Sequence, residues 1–122
     1  MIHKFDLSIP LANLAQCADG LRQLVSTFST VTHFGMFGHI ADGNMHIEIA
    51  GPAPDDLDVD HAVLAYATSF GGSISAEHGI GRAKADELHL CRSAAEIGAM
   101  RAIKDAWDPR GLMHPGVLFA QT

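Results

Sequence analysis

The stretch Gly38-His39-Ile40-Ala41-Asp42-Gly43-Asn44-Met45-His46-Ile47-Glu48 decides how this chain folds. Asp42-Gly43 is a strong turn signal, because glycine takes the positive φ that a tight reversal needs. Beyond it, Asn44 to Ala50 alternates, with Met45, Ile47 and Ile49 on one face and Asn44, His46 and Glu48 on the other. Before it, Val31 to His39 is rich in aromatic and β-branched residues and reads as the partner strand. With Ile40 to Gly43 as a four-residue loop, His39 lies opposite Asn44. His46 is then the diagonal neighbour of His39 on the same face, at about 7–8 Å between backbones and within side-chain reach. A slip of one residue would send the two imidazoles to opposite faces.

Working outward, Phe5 to Ile9 alternates and reads as a short strand stopped by Pro10, with Lys4 at its entrance. Taken alone, that lysine reads as a solvated strand end. Leu11 to Phe28 reads as an amphipathic helix, its stripe formed by Leu11, Leu14, Ala18, Leu21, Leu24, Val25 and Phe28, with Cys17 at the edge as a buried thiol. Gly20 inside it costs about 1 kcal/mol relative to alanine, so tertiary packing must hold that turn. After the loop Gly51-Pro52-Ala53-Pro54, Leu57 to Phe70 is a second helix, opened by acidic residues and ended by Gly71-Gly72. Ser73 to Ala76 is small and extended. The last helix, Ala94 to Trp107, is expected to turn Ile97, Met100, Ile103 and Trp107 inward, and the turn-rich tail to wrap back on the body. The order of elements predicts an α+β fold: a ferredoxin-like antiparallel sheet with helices on one face, plus a C-terminal helix and tail.

Composition narrows the function. A length of 122 residues is one domain's worth, residues 1–122, and nearly half are apolar, which argues against disorder. The net charge of −6 argues against a nucleic-acid partner, which needs clustered Lys and Arg. No run approaches the roughly 18–20 apolar residues of a membrane span, and the start does not read as a signal peptide. Cys17 and Cys91 have neither metal-ligand nor redox spacing, so free thiols and a cytoplasmic location are expected.

Eight histidines in so short a chain ask for an explanation. His39, His46 and Glu77, the last within Ser75-Ala76-Glu77-His78-Gly79, offer two imidazole nitrogens and one carboxylate oxygen. Such a set suits a divalent metal (zinc, manganese or iron) with positions left open for substrate. A bound cation would chelate the hydroxyl and carboxylate of a hydroxy acid, and His78 is placed to take the hydroxyl proton. Adjacent residues of a strand point opposite ways, so Glu77 and His78 converge only across a bend, which Gly79 permits. Spacing alone leaves the alternative open that these are packed or exposed imidazoles. Neither a G-x-x-x-x-G-K phosphate loop nor a G-x-G-x-x-G dinucleotide fingerprint after a strand is present.

Four ordered motifs carry a resemblance that spans essentially the whole chain: Lys4-Phe-Asp-Leu-Ser-Ile-Pro10, Gly38-His-Ile-Ala-Asp-Gly-Asn-Met-His46, Gly71-Gly-Ser-Ile-Ser-Ala-Glu-His-Gly-Ile-Gly81 and Asp108-Pro-Arg-Gly-Leu-Met-His-Pro-Gly116. The chain resembles the C-terminal domain of the FAD-linked oxidases, in the branch of the D-2-hydroxyacid dehydrogenases (glycolate oxidase flavin subunit, D-lactate dehydrogenase, D-2-hydroxyglutarate dehydrogenase). The resemblance implies that His39, His46 and Glu77 bind the metal, that His78 is the catalytic base, and that Lys4 and Asn44 hold the substrate. It implies oxidation of a small D-2-hydroxy acid to the 2-oxo acid, with hydride passing to FAD.

Two positions depart from the family pattern. Glu48 stands where asparagine is frequent, and a carboxylate there repels an acid substrate unless the metal or Lys4 neutralises it. His114-Pro115-Gly116-Val117 replaces an Asn-Pro-Gly-Lys tail. FAD would be bound mainly by a domain absent from this sequence, in the same or another chain, so a fragment that holds metal without turning over substrate is expected. An apolar surface left by that domain predicts self-association as a homo-oligomer. The competing reading is a stand-alone α+β metal- or ligand-binding module without catalytic activity; a purely structural zinc is disfavoured by having only three ligands.

Overall fold

The computed structural model describes residues 2–120. They form two compact units, one running to Gly79 and the other beginning at Ile80.

The first unit is built on strands β1 (Ile2–Ser8), β2 (His33–Phe37) and β3 (Asn44–Ala50), with helix α1 (Leu14–Ser26) after β1 and α2 (Asp58–Ser69) after β3. The sheet is antiparallel in the order β1-β3-β2, so the alternating strand of the hairpin lies in the middle. Ser8 and Ser73 exchange two backbone hydrogen bonds, 3.1 Å and 2.8 Å long, along the outer edge of β1. The 73–75 segment therefore takes the place of a fourth strand, completing the ferredoxin-like order as bridges rather than a full ladder.

Alternation in β1 and β3 separates two faces. Phe5, Leu7, Met45, Ile47 and Ile49 are buried, as are Cys17, Leu21 and Val25 of α1 and Val59, Val63, Leu64 and Ala67 of α2. Cys17 is fully buried, and loss of hydration pushes its thiol up to about 11, so it stays a protonated thiol. The buried line of α1 is Cys17-Leu21-Val25, at i, i+4 spacing. Leu11, expected on that stripe, is exposed, because Leu11–Asn13 form a separate 3-10 turn after Pro10. Gly20 is explained by the helix pair: a Cβ there would meet the Tyr66 hydroxyl of α2 at 1.9 Å. His3, which faces inward from β1, joins α2 to the sheet: its Nδ1 is 2.6 Å from Asp60 Oδ2 and its Nε2 is 3.1 Å from the Ala53 carbonyl oxygen.

The second unit contains helix α3 (Ala94–Trp107). Ser93 caps it: its hydroxyl accepts from Glu96 N–H while the Glu96 carboxylate accepts from Ser93 N–H, and these bonds hold the Glu96 carboxyl below its ordinary range. At the other end, Asp108 accepts from the Lys104 ammonium and from the backbone N–H groups of Leu112 (2.9 Å) and Met113 (2.8 Å), folding the tail back under the helix. The expectation that Ile103 and Trp107 turn inward is corrected, for they are 64 % and 81 % exposed. Ile97 and Met100, earlier on the same stripe, are partly buried, Ile97 beside Leu88 and Phe119; periodicity identifies an apolar stripe but not how far along it the cover extends.

Ile47 is fully buried at the centre of the middle strand. Ile47→Ala should cost about 2–5 kcal/mol, read as a lower urea midpoint with an unchanged slope. The Lys104 hydrogen bond and, after it, the Met113 N–H hold the Asp108 carboxyl at about 2, below its ordinary 3.8. Its stabilisation is therefore complete above about pH 4 and is lost as pH falls towards 2. Amide-exchange protection factors at Leu112 and Met113, corrected for the intrinsic pH dependence of exchange, should fall across that window, and Asp108→Asn should abolish the dependence.

Candidate functional site

The polar face of the sheet follows from register. Lys4 pairs with Glu48, Asp6 with His46 and Ser8 with Asn44, so alternate residues of β1 and β3 bring six polar side chains to one side. The hairpin has the expected alignment: Asn44 N–H donates to the His39 carbonyl at 3.2 Å, and Asp42 closes the loop by accepting from Asn44 N–H at 3.0 Å. Gly43 sits at φ +73, where an added Cβ would meet the Ile9 carbonyl oxygen at 2.1 Å. Only glycine suits that turn.

His46, Glu77 and His78 come together on this face. His46 Nε2 is 3.4 Å from Glu77 Oε1, and the His46 and His78 rings stack with centroids 5.6 Å apart. Asn44 Nδ2 donates to the same Glu77 oxygen at 3.2 Å. Its own Oδ1 is buried with no hydrogen-bond partner among the described residues. A buried lone acceptor is costly, and such an atom is a reason to look for a ligand beside it.

The segment bearing Glu77 and His78 is shaped by Asp6, which periodicity treats as an ordinary polar strand residue. Asp6 is 3 % exposed. Its Oδ2 accepts from Glu77 N–H (2.9 Å), His78 N–H (2.8 Å) and the Ser75 hydroxyl (3.3 Å), and the Ser75 hydroxyl also lies 2.9 Å from the Gly79 carbonyl oxygen. Gly79, at φ +81, continues the bend. Two successive N–H groups on one anion form a concave backbone nest. The bend that convergence of Glu77 and His78 requires is thus present, and an acid two strands away from the hairpin's outer edge closes it.

His39 is placed differently from its neighbours. Gly38, at φ +156, interrupts the alternation, and its missing Cβ would lie 2.2 Å from the Asn44 carbonyl oxygen. Register pairs Phe37 directly with His46, and their rings lie 5.3 Å apart between centroids. His39 is exposed, and its imidazole has no hydrogen bond, ion pair or ring contact among the described residues. At the other end of the face, Lys4 Nζ is 3.0 Å from Glu48 Oε1, which neutralises the carboxylate that departs from the family pattern.

The residues fit a cation. Two ligands with bonds of about 2.0–2.2 Å to one metal sit roughly 3–3.5 Å apart, and the separation of His46 Nε2 from Glu77 Oε1 falls in that range. Asp6, Glu77 and His78 also offer oxygen and nitrogen atoms within 4.8 Å of one another. The cluster is open, with the side chains of Glu77 and His78 52 % and 66 % exposed, so a second domain can approach it. An apolar cavity of about 530 Å³ opens beside α1 and β2, lined by Leu14, Met36, Phe37, Ile40 and Met45 among others, and it reaches Asn44.

The first unit is an α+β domain with an imidazole–carboxylate cluster on the polar face of its sheet, and comparison places it in a family. Residues 1–118 match the family described as FAD linked oxidases, C-terminal domain, and the chain belongs to that family. It is 36 % identical over 126 residues to a D-2-hydroxyglutarate dehydrogenase of Stutzerimonas stutzeri, covering 97 % of this chain and 27 % of that protein. It is 50 % identical over 91 residues to a D-2-hydroxyglutarate dehydrogenase of Xanthomonas citri, covering 68 % of this chain and 19 % of that protein. A mitochondrial D-2-hydroxyglutarate dehydrogenase of Arabidopsis thaliana is 32 % identical over 93 % of this chain, which spans 20 % of it. The chain thus spans about a fifth to a quarter of the curated relatives it matches. Among the described residues no helix is long and apolar enough to cross a membrane.

The Lys4–Glu48 pair is largely exposed on the lysine side. Lys4→Ala should therefore lower stability by no more than about 1 kcal/mol; guanidinium denaturation checks this and would separate a binding role for Lys4 from a structural one.

Proposed function

We propose that this chain is the substrate- and metal-binding part of a flavin-dependent dehydrogenase that oxidises a small D-2-hydroxy acid to the 2-oxo acid. The relatives point to D-2-hydroxyglutarate as the first acid to try, with lactate and glycolate as the shorter members of the same class. The observation that carries the reading is the meeting of His46 Nε2 and Glu77 Oε1 at 3.4 Å, with His78 stacked against the same imidazole.

On this reading His46 and Glu77 hold a divalent cation (zinc, manganese or iron), with the uncommitted imidazole of His39 as third ligand. A cation held there would supply positive charge near the substrate hydroxyl and lower its pKa. His78, two-thirds exposed, takes the hydroxyl proton on a ring nitrogen. Asn44, whose buried Oδ1 has no hydrogen-bond partner among the described residues, helps hold the substrate, through a bridging water or a small shift of its side chain. Lys4 binds the substrate carboxylate. Its pair with Glu48 is of the exposed kind worth at most about 1 kcal/mol, so it exchanges readily for a competing carboxylate. FAD, bound mainly by a separate FAD-binding domain in the same or another chain, accepts the hydride when present. No side chain of this chain is assigned to the flavin.

The alternative, a metal-binding module without catalysis, shares the ligand residues and differs only at His78 and Lys4. Titration with zinc or manganese, read by calorimetry and elemental analysis, should give one equivalent per chain, lost in His46→Ala and in Glu77→Gln. Absence of stoichiometric metal in the wild type would refute the assignment. In the flavin-containing enzyme, His78→Asn should lower kcat by at least about 100-fold with metal retained; unchanged kcat would leave the binding module as the better account.

A further inference from the structure

We infer that Asp6 is a positioning residue for this site and not one of its ligands: from beneath the sheet face it fixes the Ser75–Gly79 bend and so aims Glu77 and His78 at His46. The inference deepens the proposed function and rests on it for what the aimed groups do.

Three observations carry it. First, Asp6 Oδ2 already accepts three hydrogen bonds, from Glu77 N–H, His78 N–H and the Ser75 hydroxyl. A carboxylate oxygen has two in-plane lone pairs, so these donors saturate Oδ2, and a cation there would have to displace them; Oδ1 makes no hydrogen bond among the described residues but is equally buried, facing His46 Nδ1 at 3.7 Å. Second, Asp6 is 3 % exposed, whereas Glu77, the neighbouring acid, is open to solvent. Direct coordination needs an oxygen that a hydrated cation can reach. Third, the two amides that bond Asp6 belong to consecutive residues. In an extended strand they would point to opposite sides, and so would the side chains. Gathering both amides on one oxygen turns both side chains the same way, and this is where they are found: Glu77 Oε1 at 3.4 Å from His46 Nε2, and the His78 ring stacked on His46.

Asp6 also lies beside the rings it organises. Oδ1 is 3.7 Å from His46 Nδ1 and Oδ2 is 3.6 Å from His78 Nδ1. These separations are too long for hydrogen bonds, so what Asp6 fixes is the backbone of the segment that carries Glu77 and His78. The closeness of Asp6, Glu77 and His78 that resembles a three-ligand site is, on this account, the trace of a scaffold.

The test uses the 122-residue chain with zinc as probe. Asp6→Asn should speed amide exchange at Glu77 and His78 at least tenfold. It should weaken zinc roughly 10–100-fold, the usual cost of an outer-shell partner, while stoichiometry stays at one. His46→Ala is the reference for outright loss. A second measurement needs no Asp6 variant: in ¹³C spectra of the wild type, zinc should shift the Glu77 carboxyl carbon and leave that of Asp6 in place. Loss of zinc in Asp6→Asn as complete as in His46→Ala, with both amides still protected, would make Asp6 a ligand and overturn the inference, as would a zinc-induced shift at Asp6 equal to that at Glu77. If the wild type binds no zinc while Asp6→Asn still releases the two amides, the bend stands as described and it is the metal reading of the site that falls.

Discussion

The antiparallel alignment of β1 with β3 is the constraint from which the rest follows. It sets Lys4 against Glu48, Asp6 against His46 and Ser8 against Asn44. The period of two then sends Phe5, Leu7, Met45, Ile47 and Ile49 to the opposite side, where they meet the buried residues of the two helices. Apolar burial and site assembly are thus one choice of register, not two. A slip by one residue would expose the isoleucines and bury the histidine and acids, so the hydrophobic core itself guards the geometry of the polar face.

On that face the hardest group to accommodate is the Asp6 carboxylate. Taking an isolated charge out of water is prohibitive, and the fold answers with backbone donors from a turn that would otherwise have unsatisfied N–H groups of its own. Each side needs the other: the acid is tolerable because the turn is there, and the turn holds its shape because the acid is there. The exposed groups above it, Glu77 and His78, can remain accessible because none of their positioning depends on burying their own charges.

The family to which the chain belongs is named for a flavin, and the chain spans about a fifth to a quarter of its curated relatives. Glu48, which departs from the family pattern, is less disruptive than its charge suggests, since register puts Lys4 directly opposite and the two ends meet at 3.0 Å.

Local patterning was enough to read the hairpin, the turn at Asp42-Gly43, the alternation of β3, the bounds of α3 and the overall α+β class, because each is written in residues near one another in the chain. Residue type also singled out His39, His46, Glu77 and His78 as candidate ligands and base, and the structure brings His46, Glu77 and His78 together while leaving His39 exposed. Local patterning could not reveal Asp6, an acid in an ordinary alternating strand whose partners lie some seventy residues away. Nor could it reveal that His39 stays exposed, that His3 reaches Asp60, or that Ile103 and Trp107 stay exposed. Periodicity reports which side of an element a residue occupies. What stands across from that side depends on long-range packing and on single backbone angles, and those exist only once the chain has folded.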